Sequence, residues 1–298
     1  MIRTALSIVL GFSFLATAAP AADLWTEDAK AAMAQAAKEK KDLLIDFTDS
    51  DWCGWCIKLD KEVFSEAAFA DEAVKSFVFL KLDFPRKKTL PEEIKKQNAE
   101  WQAKFGIGGF PTIILADAQG RAYARTGYRQ GGAEAYLKHL AELRAVREKR
   151  DAALAKAAGA EGVARAKLLD EALAVMGIDE ACCSYGETVA EIIKLDADGK
   201  AGLKAKYEGP LAAWKVGAAI QGHKLDEAIA LADEALKNLG ASGETAQLIL
   251  ILKAVAFLRK GDKAGCLKVL AEALKAAPDS RKAAQIRKDI EAVSKETK

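Results

Sequence analysis

Asp42-Leu43-Leu44-Ile45-Asp46-Phe47-Thr48-Asp49-Ser50-Asp51-Trp52-Cys53-Gly54-Trp55-Cys56-Ile57-Lys58-Leu59 places two cysteines three residues apart between an apolar run and an amphipathic one. The run 43–47, closed by turn-forming Asp49-Ser50-Asp51, reads as a buried strand. After the pair, apolar residues at 57, 59, 63 and 64 alternate with charges, as on an amphipathic helix beginning near Cys53. Two cysteines at this spacing can pass electrons as dithiol and disulfide, but the same spacing serves zinc, iron–sulfur clusters and haem attachment. The flanking elements favour redox chemistry. At a helix N-terminus, free N–H groups and the helix dipole stabilise a thiolate, so Cys53 is the expected nucleophile. Cys56, one turn deeper, is the expected resolving thiol.

Downstream, Gly108-Gly109-Phe110-Pro111-Thr112 precedes the apolar run Ile113-Ile114-Leu115. Proline is tolerated where a strand starts, and X-Pro bonds are the ones with a real chance of being cis. An aspartate inside an otherwise apolar strand also needs a reason. Burial raises a carboxyl pKa and lets Asp46 take up and return a thiol proton; a solvated strand end is the other reading.

Over about residues 24 to 145 the chain resembles the thioredoxin superfamily: strand 43–47, Trp52-Cys53-Gly54-Trp55-Cys56, strand 77–83, then Phe105 to Thr112 follow that order. The nearest flavour resembles secreted bacterial thioredoxin-like proteins related to the C-terminal domain of the thiol:disulfide interchange transporter DsbD. The resemblance implies an α/β thioredoxin fold, a mixed sheet flanked by helices, in which Cys53 attacks and Cys56 resolves. It implies that Pro111 is a cis-proline beside the dithiol, with the backbone at Phe110 free to pair with a bound peptide. Asp46 and Lys81 match the family's buried acid and its lysine partner. Two departures stand out. Asp46 lies seven residues before Cys53 where common thioredoxins have six, so a bulge or longer loop must absorb one residue. Trp55 replaces the proline of ordinary thioredoxin, which leaves reductase, oxidase and isomerase open. Trp52 and Trp55 would offer apolar surface to an extended protein substrate; plain packing is the other reading of Trp52.

Composition sets the setting. Met1-Ile2-Arg3, the apolar stretch 5–16 and Ala18-Ala19-Pro20-Ala21-Ala22 follow the regions of a secretory signal over residues 1–22. No later segment has eighteen uninterrupted apolar residues, so no membrane span is expected after signal removal. An exported protein follows, periplasmic if the source is Gram-negative. The 45 basic and 43 acidic side chains leave a net charge of +2, and nothing in that balance favours nucleic acid as a partner.

Residues 23–148 are expected to form the thioredoxin-like domain and 149–298 an all-α domain, because alanine, leucine, lysine and glutamate dominate from about Leu137. Segments ending near Leu173, Leu236 and Leu274 share an Ala-Leu ending, the last two 38 residues apart and each preceded by a turn. This resembles a tetratricopeptide-like helical stack; a generic bundle is the alternative. A stack would leave a groove for a partner protein. Cys182, Cys183 and Cys266 remain. Cys266 falls among apolar helix positions, while pairing of Cys182 or Cys183 with Cys266 stays open. His139 and His223 are too few for a metal site, so no metal and no organic cofactor is expected beyond the redox-active pair. Pro85-Arg86-Lys87-Lys88 is either a solvated insertion or a substrate-facing lip.

The expected activity is thiol:disulfide exchange with disulfide-bearing protein substrates, by reduction, with an upstream electron-donor thiol protein to reset the pair. The alternative is a scaffold whose helical half recruits partners while the dithiol is structural or holds a soft metal such as copper. A disulfide isomerase is a third reading.

Overall fold

The computed structural model describes residues 24–295, so the expected signal 1–22 lies outside the described residues. A five-stranded sheet organises the first half, in the order β1-β3-β2-β4-β5. Its strands are β1 (Trp25–Thr26), β2 (Asp42–Thr48), β3 (Phe77–Asp83), β4 (Thr112–Ala116) and β5 (Ala122–Thr126). β1, β3 and β2 run parallel, and β4 and β5 are antiparallel to their neighbours. The β4–β5 connection is a tight turn at Asp117-Ala118-Gln119-Gly120, with Gly120 at φ 69° and its N–H donating to the Asp117 carbonyl.

β2 is central and buried along its whole length, so both of its faces are covered by other elements. Because side chains alternate, Leu43, Ile45 and Phe47 pack beneath α1 (Ala29–Glu39) and α4 (Glu92–Lys104), with Leu80, Phe105 and Ile114. Leu44 turns the other way, into a cluster with Leu59, Val63, Phe64, Phe69, Phe79 and Tyr136. That cluster is covered by α2 (Gly54–Leu59), the π-helical turn Asp60–Phe64, α3 (Ala67–Ala73) and the start of α5 (Gly132–Ala158). Asp46 shares parity with Leu44 and therefore faces the side that carries the dithiol helix.

From α5 onward every element is helical: α6 (Gly162–Ala174), α7 (Ile178–Ser184), α8 (Gly186–Leu195), α9 (Leu203–Gln221), α10 (Leu225–Leu239), α11 (Gly243–Arg259), α12 (Lys263–Ala276) and α13 (Ala283–Lys295). α10 and α12 begin 38 residues apart, each after the turn expected there. Asp262 caps α12 by accepting the Gly265 N–H at 2.8 Å. The helices bury three successive cores, from Leu169 and Tyr207, through Val216 and Ile249, to Leu270 and Ile286.

The expected boundary at 148/149 falls inside the continuous α5. Tyr136 and Leu140 at its start sit in the sheet core, while Leu154 and Ala157 near its end pack on α6 and α9 residues. α7 closes the seam: Glu180 pairs with Arg125 at 3.1 Å, and the Ser184 hydroxyl accepts the Ala122 N–H. Cys183 Sγ lies 2.9 Å from the Lys104 carbonyl oxygen. Cys182, Cys183 and Cys266 are all free and buried, so the pairing left open in the sequence does not form. α7 and α12 belong to different cores, which keeps their thiols apart.

Candidate active site

Asp49 builds the loop that leads to the dithiol. Its Oδ1 accepts the N–H groups of Asp51 and Trp52 at 3.2 and 3.1 Å, while Ser50 donates through N–H and hydroxyl to Asp83. The residue in excess over the common spacing is therefore absorbed in this turn. No bulge is needed, because β2 stays in continuous register with β3 from Asp42 to Thr48.

Cys53 is the N-cap of α2 and is disulfide-bonded to Cys56, their Cα atoms 5.3 Å apart. The Cys56 N–H points at Cys53 Sγ at 3.2 Å, a donor aimed at the sulfur that would carry charge once the bond is reduced. Cys56 is the more buried of the two, at 3% exposed against 8%. Facing them, the Phe110–Pro111 peptide is cis and the Phe110 carbonyl oxygen stands 3.7 Å from Cys53 Sγ. The Phe110 ring stacks on Phe84 at 5.0 Å, and the Phe110 N–H makes no hydrogen bond among the described residues.

Below the dithiol helix, Asp46 is buried, not a solvated strand end, and its Oδ1 has no hydrogen-bond partner. It stands opposite Lys81 in the β2–β3 register. Desolvation pushes its carboxyl up to about 7, a rise that the Lys81 charge opposes and Asp60 and Asp83 reinforce. Asp46, Lys81, Glu27, Asp60 and Ser65 line a cavity of about 500 Å³ that gives the acid a polar route outward.

Trp52 and Trp55 are 45% and 58% exposed, on either side of the disulfide. Trp55 packs on Tyr128 at 5.2 Å, with Lys58 Nζ over both rings, and the Tyr128 hydroxyl donates to Glu62. The Arg86 guanidinium lies 3.4 Å over the Trp52 ring. Asp51 holds that arrangement in place, because its carboxylate accepts the backbone N–H groups of Arg86, Lys87 and Lys88 at 3.0, 2.7 and 3.2 Å. Those three donors hold the Asp51 carboxyl below its ordinary range.

Cys53, Cys56, Asp46, Lys81, Trp52, Trp55, Phe110 and Pro111, the residues the sequence points to, gather around one helix end. Asp51, Tyr128, Lys58 and Glu62 carry no such sequence signal. Asp51 read only as a turn former, because its partners lie 35 to 37 residues away and leave no local signal.

With this fold around a bonded Cys-Gly-Trp-Cys pair, the chain belongs to the thioredoxin-like family, whose domain model matches residues 29–143. It is a thiol:disulfide oxidoreductase. Among its relatives, the disulfide bond reductase DsbH of Chlamydia pneumoniae is 35% identical over 117 residues, covering 39% of this chain and 70% of that protein. The thioredoxin-related protein DsbJ of the same organism is 30% identical over 104 residues, covering 35% of this chain and 30% of the relative. A solved structure of the DsbH oxidoreductase aligns at 29% identity over 47% of this chain and 94% of that one, with a TM-score of 0.40.

Proposed function

We propose that the protein is an exported reductase of protein disulfides. The observation that carries the reading is the placement of Cys53 at the cap of α2, bonded to Cys56 and 3.7 Å from the Phe110 carbonyl beside a cis-proline. The direction is supported by the relative DsbH, a disulfide bond reductase.

The reaction starts from the reduced pair. Cys53 thiolate attacks one sulfur of a substrate disulfide, forming a mixed disulfide and releasing the other substrate sulfur as a thiolate. Cys56 loses its proton to Asp46 and displaces the second substrate thiolate from Cys53, which regenerates the bonded pair. Two electrons pass to the substrate, and an upstream dithiol protein returns two to the pair. Lys81 positions and tunes Asp46, and Trp52, Trp55, Phe110 and Pro111 hold the extended substrate. Export is supported by the signal-like residues 1–22, with the periplasm as destination in a Gram-negative source. Among the described residues, no helix is long and apolar enough to cross a membrane. The helical region 149–298 recruits a partner protein.

An insulin-reduction assay tests the reading. Wild type should accelerate precipitation of the reduced chains and Cys53→Ser should abolish the effect; full activity in Cys53→Ser would overturn it. A reduction potential near about −270 mV fits a reductase, and one near about −120 mV would reverse the direction.

A further inference from the structure

Three of the six exposed large apolar side chains among the described residues, Trp52, Trp55 and Ile57, lie within six positions at the disulfide. Cations crown both indoles. Arg86 stands over Trp52, and Lys58 sits over Trp55 and Tyr128. Lys87 and Lys88 extend the positive side next to Arg86, and all three side chains of this loop are exposed. None of the three forms an ion pair among the described residues; Lys88 Nζ reaches only the Ser50 hydroxyl, at 3.5 Å.

Acidic groups nearby offset only part of this charge, Asp51 through its interaction with Lys87. Asp51 is turned toward the three N–H groups of the loop itself, Asp49 toward its own turn, and Asp83 toward Ser50. Glu62 takes the Tyr128 hydroxyl and stands 3.8 Å from Lys58. Asp49, Asp51 and Asp83 are engaged with backbone and hydroxyl donors and Glu62 also pairs with Lys58, while the side chains of 86–88 stay exposed. Asp51 also fixes where those heads stand, since three consecutive backbone donors on one carboxylate leave the loop little freedom beside Cys53.

We propose that loop 85–88 is a charge-selective lip for this site, and that the preferred substrates carry acidic residues next to the disulfide cysteine, with apolar residues seated on Trp52 and Trp55. This rests on the reductase reading and narrows it to a substrate class. The loop recognises charge without base or metal chemistry: carboxylates of the substrate meet Arg86, Lys87 and Lys88 as Cys53 meets the disulfide. Exposed pairs are individually weak, so three of them give a preference of about tenfold, carried largely by association and sensitive to salt.

The test compares two synthetic peptides with the same intramolecular disulfide, one flanked by Asp-Glu and the other by Asn-Gln. For wild type, kcat/KM should be about tenfold higher on the acidic peptide at low ionic strength and should approach parity at ~0.5 M salt, where screening is nearly complete. Lys87→Glu/Lys88→Glu should turn the preference toward the neutral peptide, with a circular dichroism spectrum matching wild type. Equal kcat/KM for both peptides in wild type, or an acid preference that survives in the charge-reversed variant or at high salt, would overturn the proposal. Reduction of neither peptide would overturn the reductase reading beneath it as well.

Discussion

Asp46 of β2 and Lys81 of β3 are register partners in the parallel ladder, yet the buried Asp46 Oδ1 bonds to nothing. The carboxyl is therefore dominated by desolvation and rises from 3.8 to about 7, in spite of the lysine. Such an acid is half-protonated near neutrality, where a proton carrier for Cys56 is useful.

The same shift makes stability depend on pH. Between the unfolded value near 3.8 and the folded value of about 7, the folded protein keeps a proton that the unfolded chain has lost. Stability is thus full below about pH 4, falls through that window and is flat above it, a total loss of about 4 kcal/mol. Asp46→Asn should remove most of this slope and raise the melting temperature at pH 8 by several degrees, while slowing insulin reduction about tenfold or more. Thermal melts of both proteins from pH 4 to 8 check it; parallel profiles would refute the assignment.

Arg150 of α5 ties the two halves together. It is 1% exposed and reaches Asp117 of the β4–β5 turn at 3.4 Å, the Tyr185 hydroxyl, and Asp151 at 2.6 Å. Arg150→Ala leaves the Tyr185 hydroxyl and part of the Asp117 carboxylate buried without their partner, although Arg121 still holds Asp117. The expected cost is about 3 kcal/mol, with Arg150→Lys intermediate because it keeps the charge and loses the fork. Urea denaturation gives the loss, and hydrogen exchange should show it first in α7 and β5. An unchanged midpoint would remove Arg150 from the seam.

Three thiols should stay silent. Burial pushes Cys182 up to about 11 and Cys183 up to about 12, and raises Cys266 as well. After mild reduction, iodoacetamide should modify Cys53 and then Cys56 in the folded protein, and the other three only in denaturant. Mass spectrometry of the labelled peptides counts them. Rapid native labelling of Cys182 or Cys183 would show that the α7 seam opens.

Much of the site was legible because its signals are local. An apolar strand, a cysteine at a helix cap and a proline before a strand each follow from neighbours in sequence, and Asp46 stood out as the one charge within the apolar run. Lys81 and Pro111 came from the order of motifs along the chain, which the resemblance supplied. Trp52 was legible as an aromatic and not as the platform for Arg86. That stack needs Asp51 to reach across more than thirty residues, and no periodicity records a carboxylate that bonds backbone N–H groups of another loop.

The helical half divides in the same way. Alanine-rich periodicity and glycine turns announced helices, and α10 and α12 begin where the turns end. Whether Cys182, Cys183 and Cys266 pair was decided by which core each helix enters. The seam between the halves depends on α5 running unbroken from one core to the other and on buried pairs such as Arg125 with Glu180. By itself, then, the sequence determined the redox pair, its strand and helix, and the helical character of the second half, because those rest on short-range pattern and backbone preference. Tertiary structure alone decided the isolation of Asp46 Oδ1, the Asp51-held cationic loop beside Cys53 and the locking of the two halves, because burial and charge pairing depend on distances that only the folded chain sets.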